Sequence, residues 1–261
     1  MLFRSVSTGG TWSLGRLPRI AFGAGRIAEL PTTVARHGRV ALLVTGGASF
    51  DADGRGEALV AGLRAAGIAI AGRVVVGREP GPETVDDAVT TYRTAGVAVV
   101  VAIGGGSAID AGKAIAGLLP AGGSVLRHLE GFADRVPWTG PALPVVAVPT
   151  TAGTGSEATR NAVITRTGPD GWKRSFRDEA LVPADAIVDP DLLAGAPPAL
   201  IAANGLDALT QLLEPLVCRR ANPITDGLAL QGLALARDGL LPWFRDPSGP
   251  GAAAEIGRAH V

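Results

Sequence analysis

The stretch VAVVVAIGGGSAIDAGKAIA, at Val97–Ala116, decides the fold. Its first seven residues are apolar and mostly β-branched, which is typical of a strand buried on both faces of a parallel sheet. Gly104–Gly106 then mark a turn, and the composition of Ser107–Leu119 indicates a helix. A strand, a glycine turn and a helix in this order predict one unit of an open α/β sheet.

The same alternation continues on both sides of this unit. Upstream, the pattern predicts strands at Val40–Thr45 and Gly72–Val76 and helices at Arg55–Ala66 and Val85–Ala95. Downstream, LPVVAVP at Leu143–Pro149 indicates another buried strand. Because helices between successive strands make those strands parallel, the sequence predicts an α/β fold with a Rossmann-like parallel sheet.

The pattern changes after a second polar turn. Thr165–Arg177 indicates a hairpin or lid, residues 184–190 a short strand, and PPALIAANGLDALTQLLEPLV the first helix of an all-helical region. Asn222 is a favoured N-cap and Pro223 suits the first turn, so a second helix is expected from there to about Leu241. Two helices alone leave apolar faces uncovered, so we expect the helical domain to be incomplete.

We therefore expect three segments along the chain. These are a dinucleotide-binding α/β domain over residues 1–198, a truncated helical domain over 199–254, and a tail over 255–261. The tail, EIGRAHV, matches in one reading frame the translation of a widely used sequencing adapter. We expect it to be non-native.

Composition restricts the classes of partner. The chain is 47% hydrophobic and carries 24 basic and 24 acidic residues, so it can bury a core and has no block of charge suited to nucleic acid. No apolar run reaches the length of a membrane span, and the N-terminus lacks the apolar core of a signal peptide, so we expect a cytoplasmic protein. The expected partner is a small molecule, with no nucleic acid and no membrane.

The glycine turn is the first candidate binding site. Gly104, Gly105 and Gly106 let the backbone approach a ligand closely, and the unpaired amides at the start of the next helix favour a diphosphate. The motif departs from the usual GxGxxG fingerprint because Ile109 occupies the third glycine position. The alternative is a packing turn without a ligand.

A second loop, PTTAGTGSEAT at Pro149–Thr159, follows the next buried strand. The hydroxyls of Thr150, Thr151 and Thr154 supply hydrogen-bond donors there. Because open α/β sheets bind ligands outside the carboxyl ends of their strands, we expect the two loops to face each other. A solvated Ser/Thr loop is the less favoured alternative.

Together these motifs resemble the iron-containing alcohol dehydrogenase family (group III), and in particular its lactaldehyde and propanediol reductase members. The resemblance covers most of the chain to about Leu241, and the combination of motifs is specific. The matching segments are GGGSAIDAGKAIA, PTTAGTGSE, the Asn161-Ala-Val-Ile segment, Lys173, IVDP at Ile187–Pro190, PPAL, GLDALT at Gly205–Thr210 and ANPITD at Ala221–Asp226.

The resemblance implies a nicotinamide cofactor, NAD or NADP. The residues it implies are Gly104, Gly105, Gly106 and Ser107 at the diphosphate, Thr150, Thr151 and Thr154 on the adenine and ribose side, and Asn161 and Lys173 at the ribose near the nicotinamide. Many family members have an acid just after the first strand, which excludes NADP. Gly46 stands there in this chain, and Asp51 is an alternative acid further along the loop, so the choice stays open.

The resemblance also implies a divalent metal, Fe²⁺ or Zn²⁺, held by one Asp and three His. Asp207 matches the Asp, but Gln211 occupies the position of the first His and is a weak replacement. The other two histidines would lie beyond the end of this chain. The histidines present, His37, His128 and His260, are expected to be structural or surface residues rather than ligands.

For the complete protein the resemblance implies a metal-assisted oxidoreductase that interconverts an alcohol and an aldehyde or ketone by hydride transfer. We expect the full-length protein to form a homo-oligomer and this fragment to be inactive. Two alternatives stay open. One is a dehydroquinate synthase-like lyase, which shares the architecture but differs in sequence after the second loop, and the other is a non-catalytic nucleotide-binding module.

Overall fold

The computed structural model of the chain describes residues 11–51, 54–248, 253–255 and 257. Of the predicted non-native tail, only Glu255 and Gly257 belong to the described residues, and His260 lies outside them. The described residues fall into two compact units. The larger contains Leu17–Thr151 and Gly155–Leu192, and the other contains Ala152–Thr154 with the described parts of Met1–Arg16 and Leu193–Val261.

Strands and helices alternate through the larger unit, and two long helices follow. In chain order, the strands are β1 (Arg19–Phe22), β2 (Val40–Gly46), β3 (Ala69–Val76), β4 (Val99–Gly104), β5 (Val145–Pro149), β6 (Asn161–Arg166), β7 (Trp172–Arg177) and β8 (Asp185–Val188). The helices are α1 (Leu30–Ala35), α2 (Ala48–Asp51), α3 (Arg55–Ala65), α4 (Pro82–Tyr92), α5 (Gly106–Leu118), α6 (Pro198–Val217) and α7 (Pro223–Arg245).

Six of the strands form one parallel sheet in the order β1-β8-β5-β4-β2-β3. The predicted α/β class with a parallel sheet is confirmed. The central strands β4, β5 and β8 are buried along their whole length, whereas the edge strand β1 is partly exposed. Strand β1 was not predicted, because four residues at a sheet edge do not produce a buried apolar run.

Side chains of β4 alternate between the two faces of the sheet. Val100 and Ala102 belong to a buried cluster that includes residues of α4 and α5, whereas Val99 and Val101 belong to a second cluster that includes residues of α1 and α3. This alternation follows from the period of two along a strand. It explains why VAVVVAI has no polar residue, since both of its faces are covered by helices.

Helix α5 lies very close to β4. A Cβ atom added to Gly112 would lie 2.7 Å from the Cβ of Ala102, so only a glycine permits this approach. In the usual dinucleotide fingerprint, close packing of helix on strand is the role of the third glycine. Here Gly112 has that role one turn later, and Ile109 is buried in the core at the usual glycine position.

The predicted hairpin or lid is a hairpin, the antiparallel pair of β6 and β7, and it begins at Asn161 rather than at Thr165. Ala162, Ile164 and Phe176 on one face of the hairpin are buried in the cluster that includes α5. The opposite face is more exposed, and it carries Asn161 and Lys173. The hairpin therefore presents these two polar side chains on the same side.

Helices α6 and α7 form most of the other unit. Asn222 caps α7 as predicted, because its side-chain oxygen accepts hydrogen bonds from the amides of Ile224 and Thr225. The helix continues to Arg245, past the expected end near Leu241. Trp243 is buried in the core of this unit, and that burial favours a further turn although Pro242 removes one backbone donor. Among the described residues, no helix is long and apolar enough to cross a membrane.

Candidate functional site

The glycine turn connects β4 to α5 in a conformation that requires glycine. Gly104 has a φ of 151°, and a Cβ atom there would lie 2.8 Å from the Cβ of Ala108 and 3.0 Å from the amide nitrogen of Gly46. Gly105 is the N-cap of α5, and Gly106 is its first residue. Because a glycine N-cap has no side chain to bind the first amides of the helix, these amides suit an anion.

The loop after β5 lies beside this turn. Gly104 pairs with Pro149 in the sheet register, and the amide of Thr150 donates a 3.0 Å hydrogen bond to the carbonyl of Gly104. A Cβ atom on Gly105 would lie 3.2 Å from the hydroxyl oxygen of Thr151. The carboxyl ends of two adjacent strands therefore bring backbone amides and threonine hydroxyls together. Thr154 belongs to the other unit and is exposed.

A buried lysine joins α5 to the same loop. The Lys113 ammonium lies 3.0 Å from Asp110 Oδ1 and donates to the carbonyl of Ser156 at 2.8 Å and to the hydroxyl of Thr159 at 3.1 Å. The Ser156 hydroxyl donates to Asp110. Burial lowers the pKa of the Lys113 ammonium, and Asp110 and Glu157 act in the opposite direction. Lys113 thus contacts the second loop.

Glu79 contacts two of the expected cofactor residues, Ser107 and Lys173. Its carboxylate accepts a 3.4 Å hydrogen bond from Ser107, lies 3.1 Å from the Lys173 ammonium, and accepts from the hydroxyl of Thr165 at 3.2 Å. Glu79 follows β3, so it lies beyond the carboxyl end of a strand like the two loops. Glu79 was not predicted as a site residue, although its position three residues after a predicted strand was a signal for it.

Asn161 and Lys173 share a face of the hairpin without touching each other. Asn161 pairs with Arg177 in the register, whereas Lys173 pairs with Thr165, so the two are four residues apart along the hairpin. That separation is about 13 Å. The Asn161 side-chain oxygen accepts a 2.6 Å hydrogen bond from Arg177.

The expected alternative acid, Asp51, is paired with an arginine. Arg73 donates to both carboxylate oxygens of Asp51, at 2.7 and 2.8 Å, and its Nε donates to the hydroxyl of Thr45 at 2.8 Å. Its guanidinium also stacks on the ring of Phe50. The hydrogen bond from Arg73 lowers the pKa of the Asp51 carboxyl. The carboxylate near the end of β2 is therefore balanced by a cation.

The expected metal half-site contains a hydrogen-bonded pair. The Gln211 amide nitrogen lies 2.9 Å from Asp207 Oδ2 and 2.9 Å from the carbonyl oxygen of Gly153. The amide N–H donates a hydrogen bond to the carboxylate oxygen that would otherwise be available to a cation. Within the described residues, no group of three or more His, Cys, Asp and Glu side chains could hold a metal ion. The residues present do not fit a divalent metal.

Both described histidines have structural partners. His37 Nε2 lies 2.5 Å from Asp185 Oδ2, and His128 Nδ1 lies 2.9 Å from the carbonyl of Val136. The ring of His128 also contacts the rings of Trp138 and Phe176. Within the part of the chain that the structure describes, neither histidine belongs to a group of three or more side chains that could hold a metal ion.

A family model and several known proteins match this chain, and they agree on its family. A family model described as iron-containing alcohol dehydrogenase matches residues 18–190. The NAD-dependent methanol dehydrogenase of Bacillus methanolicus is 34% identical over 221 residues, which are 85% of this chain and 57% of that protein. The 1,3-propanediol dehydrogenase of Klebsiella pneumoniae is 38% identical over 210 residues, or 76% of this chain and 50% of that protein.

One solved structure with the same fold contains NAD⁺. The sulfoacetaldehyde reductase of Bifidobacterium kashiwanohense, in complex with NAD⁺, superposes with a TM-score of 0.88 at 29% identity and covers 97% of this chain and 66% of that one. The chain spans 57% and 50% of the lengths of the two curated relatives above, so about half of each relative has no counterpart in it.

Proposed function

This chain belongs to the iron-containing alcohol dehydrogenase family, and we propose that the protein is an NAD(P)-dependent oxidoreductase that interconverts an alcohol and an aldehyde or ketone by hydride transfer. The relatives are named for small alcohols and aldehydes, which supports a substrate of that size. The cofactor would accept or supply the hydride at the nicotinamide. The chain's own residues would bind and orient it.

The observation that carries this proposal is the contact between the glycine turn and the loop after β5. The amides at the start of α5 have no side-chain cap, which suits an anion, and a Cβ atom on Gly105 would lie 3.2 Å from the hydroxyl oxygen of Thr151. We assign the cofactor diphosphate to Gly104–Gly106 and Ser107. Thr150, Thr151 and Thr154 would lie along the adenosine part.

Asn161 and Lys173 are proposed to bind the ribose next to the nicotinamide. Both lie on the more exposed face of the hairpin, and their separation of about 13 Å means that they would contact different hydroxyls or the ribose and its neighbour. Lys173 would exchange its ion pair with Glu79 for the ligand. The cost of that exchange is small, since an exposed ion pair contributes little to stability.

The expected metal has no role in this proposal. Gln211 supplies an N–H donor where the family places a histidine, and that donor set does not suit Fe²⁺ or Zn²⁺. We therefore derive no step of the reaction through a metal. The presence of Gln211 in place of that histidine favours a second candidate function, a nucleotide-binding module without hydride transfer.

Cofactor binding to this chain provides the direct test. The chain spans about half of its curated relatives, so weak binding is expected and saturation-transfer NMR with NADH or NADPH is the suitable measurement. Gly105→Val should abolish the signal, because its side chain would meet Thr151. Gly227→Val, in an open position of α7, is the matched control and should keep it. Equal signals from both folded variants would contradict the assignment.

Turnover separates the two candidates. We propose that this chain alone has negligible alcohol or aldehyde activity, whereas the complete protein oxidises an alcohol with NAD⁺ or NADP⁺. A complete protein that binds the nucleotide and transfers no hydride to any small aldehyde would favour the binding module. The domains over residues 1–198, 199–254 and 255–261, the cytoplasmic location and the homo-oligomer stay predictions.

A further inference from the structure

The side-chain amide of Gln211 has two acceptors and a fixed orientation. Its nitrogen donates to Asp207 Oδ2 and to the carbonyl oxygen of Gly153, both at 2.9 Å. A carboxylate and a carbonyl only accept hydrogen bonds, so turning the amide over would place its oxygen against two oxygens. The hydrogen-bond partners therefore determine which atom of the amide faces Asp207.

This orientation is incompatible with a metal shared by Asp207 and Gln211. A metal ligand must present a lone pair, and the atom of Gln211 next to Asp207 is an N–H donor. Asp207 Oδ2 in turn uses a lone pair for the Gln211 proton. The position that a histidine occupies in the family thus serves hydrogen bonding in this chain.

The carbonyl that Gln211 binds belongs to a tightly packed segment of the second loop. A Cβ atom on Gly153 would lie 2.8 Å from the Cβ of Asn204, so the segment rests directly on the backbone of α6. Ala152 is buried in a cluster with Ile201. Residues 152–154 are therefore held on α6 by the close approach of Gly153 to Asn204, by the burial of Ala152 and by one hydrogen bond from Gln211. The last residue of this segment is the candidate cofactor residue Thr154.

We propose that Gln211 is a positioning residue that holds residues 152–154 of the second loop on α6, and that this half-site binds no first-row divalent metal. The proposal concerns the chain without cofactor, so it does not depend on the proposed function.

Hydrogen exchange of the cofactor-free chain tests the positioning role. Gln211→Glu replaces the donor by a carboxylate that faces two acceptors, and we expect it to raise exchange about tenfold in a peptide spanning residues 150–158, because two ordinary hydrogen bonds are lost. Gln211→Lys restores a donor and should keep most of the protection. A peptide from α4 serves as the internal reference, and Gln231→Glu, an exposed glutamine of α7, as the matched control.

If a substitution at position 211 acts only by perturbing α6, Gln211→Glu and Gln211→Lys should raise hydrogen exchange alike. The difference in exchange between these two variants is therefore the decisive comparison. Equal exchange in the two variants, or an unchanged peptide in Gln211→Glu, would overturn the positioning role. If Gln211→Glu does not fold, Gln211→Ala replaces it, with Gln231→Ala as its control. The rescue by Lys is then judged against Gln211→Ala.

Calorimetric titration of the chain with Zn²⁺, and absorption spectra with Co²⁺, test whether Asp207 and Gln211 bind a divalent metal. We expect no saturable binding that depends on Asp207 or Gln211. Binding at other surface groups would persist in Gln211→Ala and Asp207→Ala and would agree with the proposal. Stoichiometric binding that either substitution removes would overturn it.

Discussion

The ammonium of Lys113 donates a 2.8 Å hydrogen bond to the main-chain carbonyl of Ser156. Lys113 lies in the helix that follows the glycine turn, and Ser156 lies in the loop that follows the neighbouring strand. Asp110 completes the arrangement, since it receives the Ser156 hydroxyl and faces the ammonium. One buried lysine therefore connects the second loop to α5, the helix that begins at the glycine turn.

Removing the buried donor of Lys113 should destabilise the protein. In Lys113→Met the carbonyl of Ser156 and the Asp110 carboxylate lose the hydrogen-bond donor that a lysine supplies in either protonation state, and a buried acceptor left without its donor costs about 1–3 kcal/mol. Urea denaturation measures the loss in the free energy of unfolding. The matched control is Lys173→Met, because Lys173 is 62% exposed and should change that free energy little. Similar values for the two variants would refute the structural role of Lys113.

The same lysine should produce a pH dependence in the alkaline range. Burial lowers the pKa of Lys113 below its ordinary value of 10.5. Between the lowered value and 10.5 the unfolded chain binds more protons than the folded chain, so the free energy of unfolding should rise with pH over that interval. The interval is favourable for measurement, because the chain contains only two lysines, one tyrosine and one cysteine.

Urea denaturation at a series of alkaline pH values, for the wild type and for Lys113→Met, isolates this contribution. We expect the rise with pH in the wild type and a smaller one in the variant. Parallel curves for the two proteins would show that the Lys113 ammonium titrates alike in the folded and unfolded chains.

The parts of the fold that were predicted correctly are those with long apolar runs. VAVVVAI indicated a central strand because its two faces are covered by helices, and the glycines after it indicated the turn. Strand β1 and the last turn of α7 were not predicted, for different reasons. The residues of β1 are too few and too exposed to form a pattern. The apolar residues of α7 indicated an end near Leu241, and the burial of Trp243 favours a further turn.

The candidate site also contains residues that were predicted from the sequence and residues that were not. The glycine turn and the two threonines were predictable because each follows a strand directly, and parallel strands bring such residues to one edge. Glu79 and Arg73 were not predicted as partners of Lys173 and Asp51. Their contacts depend on the order of the strands in the sheet and on the placement of the hairpin, which no local pattern records.

The cap of α7 should contribute measurably to stability. Asn222→Ala removes the oxygen that accepts from the amides of Ile224 and Thr225, and losing such a cap costs about 1 kcal/mol. Asn222→Asp keeps an acceptor and should stay close to the wild type. Urea denaturation compares the three proteins. Equal losses in Asn222→Ala and Asn222→Asp would show that the cap oxygen is not the source of the stabilisation.

The choice between NAD and NADP should depend on the pair of Arg73 and Asp51. Strand β2 ends at Gly46 without the acid that excludes a 2′-phosphate, and Asp51, the other acid there, is balanced by both amino groups of Arg73. Arg73→Met leaves the carboxylate uncompensated, so it should weaken NADPH binding several-fold relative to NADH. Asp51→Asn leaves the guanidinium uncompensated and should shift the ratio the other way.

Competition between NADH and NADPH, followed by saturation-transfer NMR on each variant, measures this ratio. Arg39→Met is the matched control, because Arg39 directly precedes β2 and lies at the amino end of the strand, away from the expected cofactor edge. If only the overall charge of the protein matters, Arg39→Met and Arg73→Met should change the ratio of NADPH to NADH binding equally. Opposite shifts in Arg73→Met and Asp51→Asn, with no shift in Arg39→Met, would instead assign the discrimination to the local charge at the end of β2.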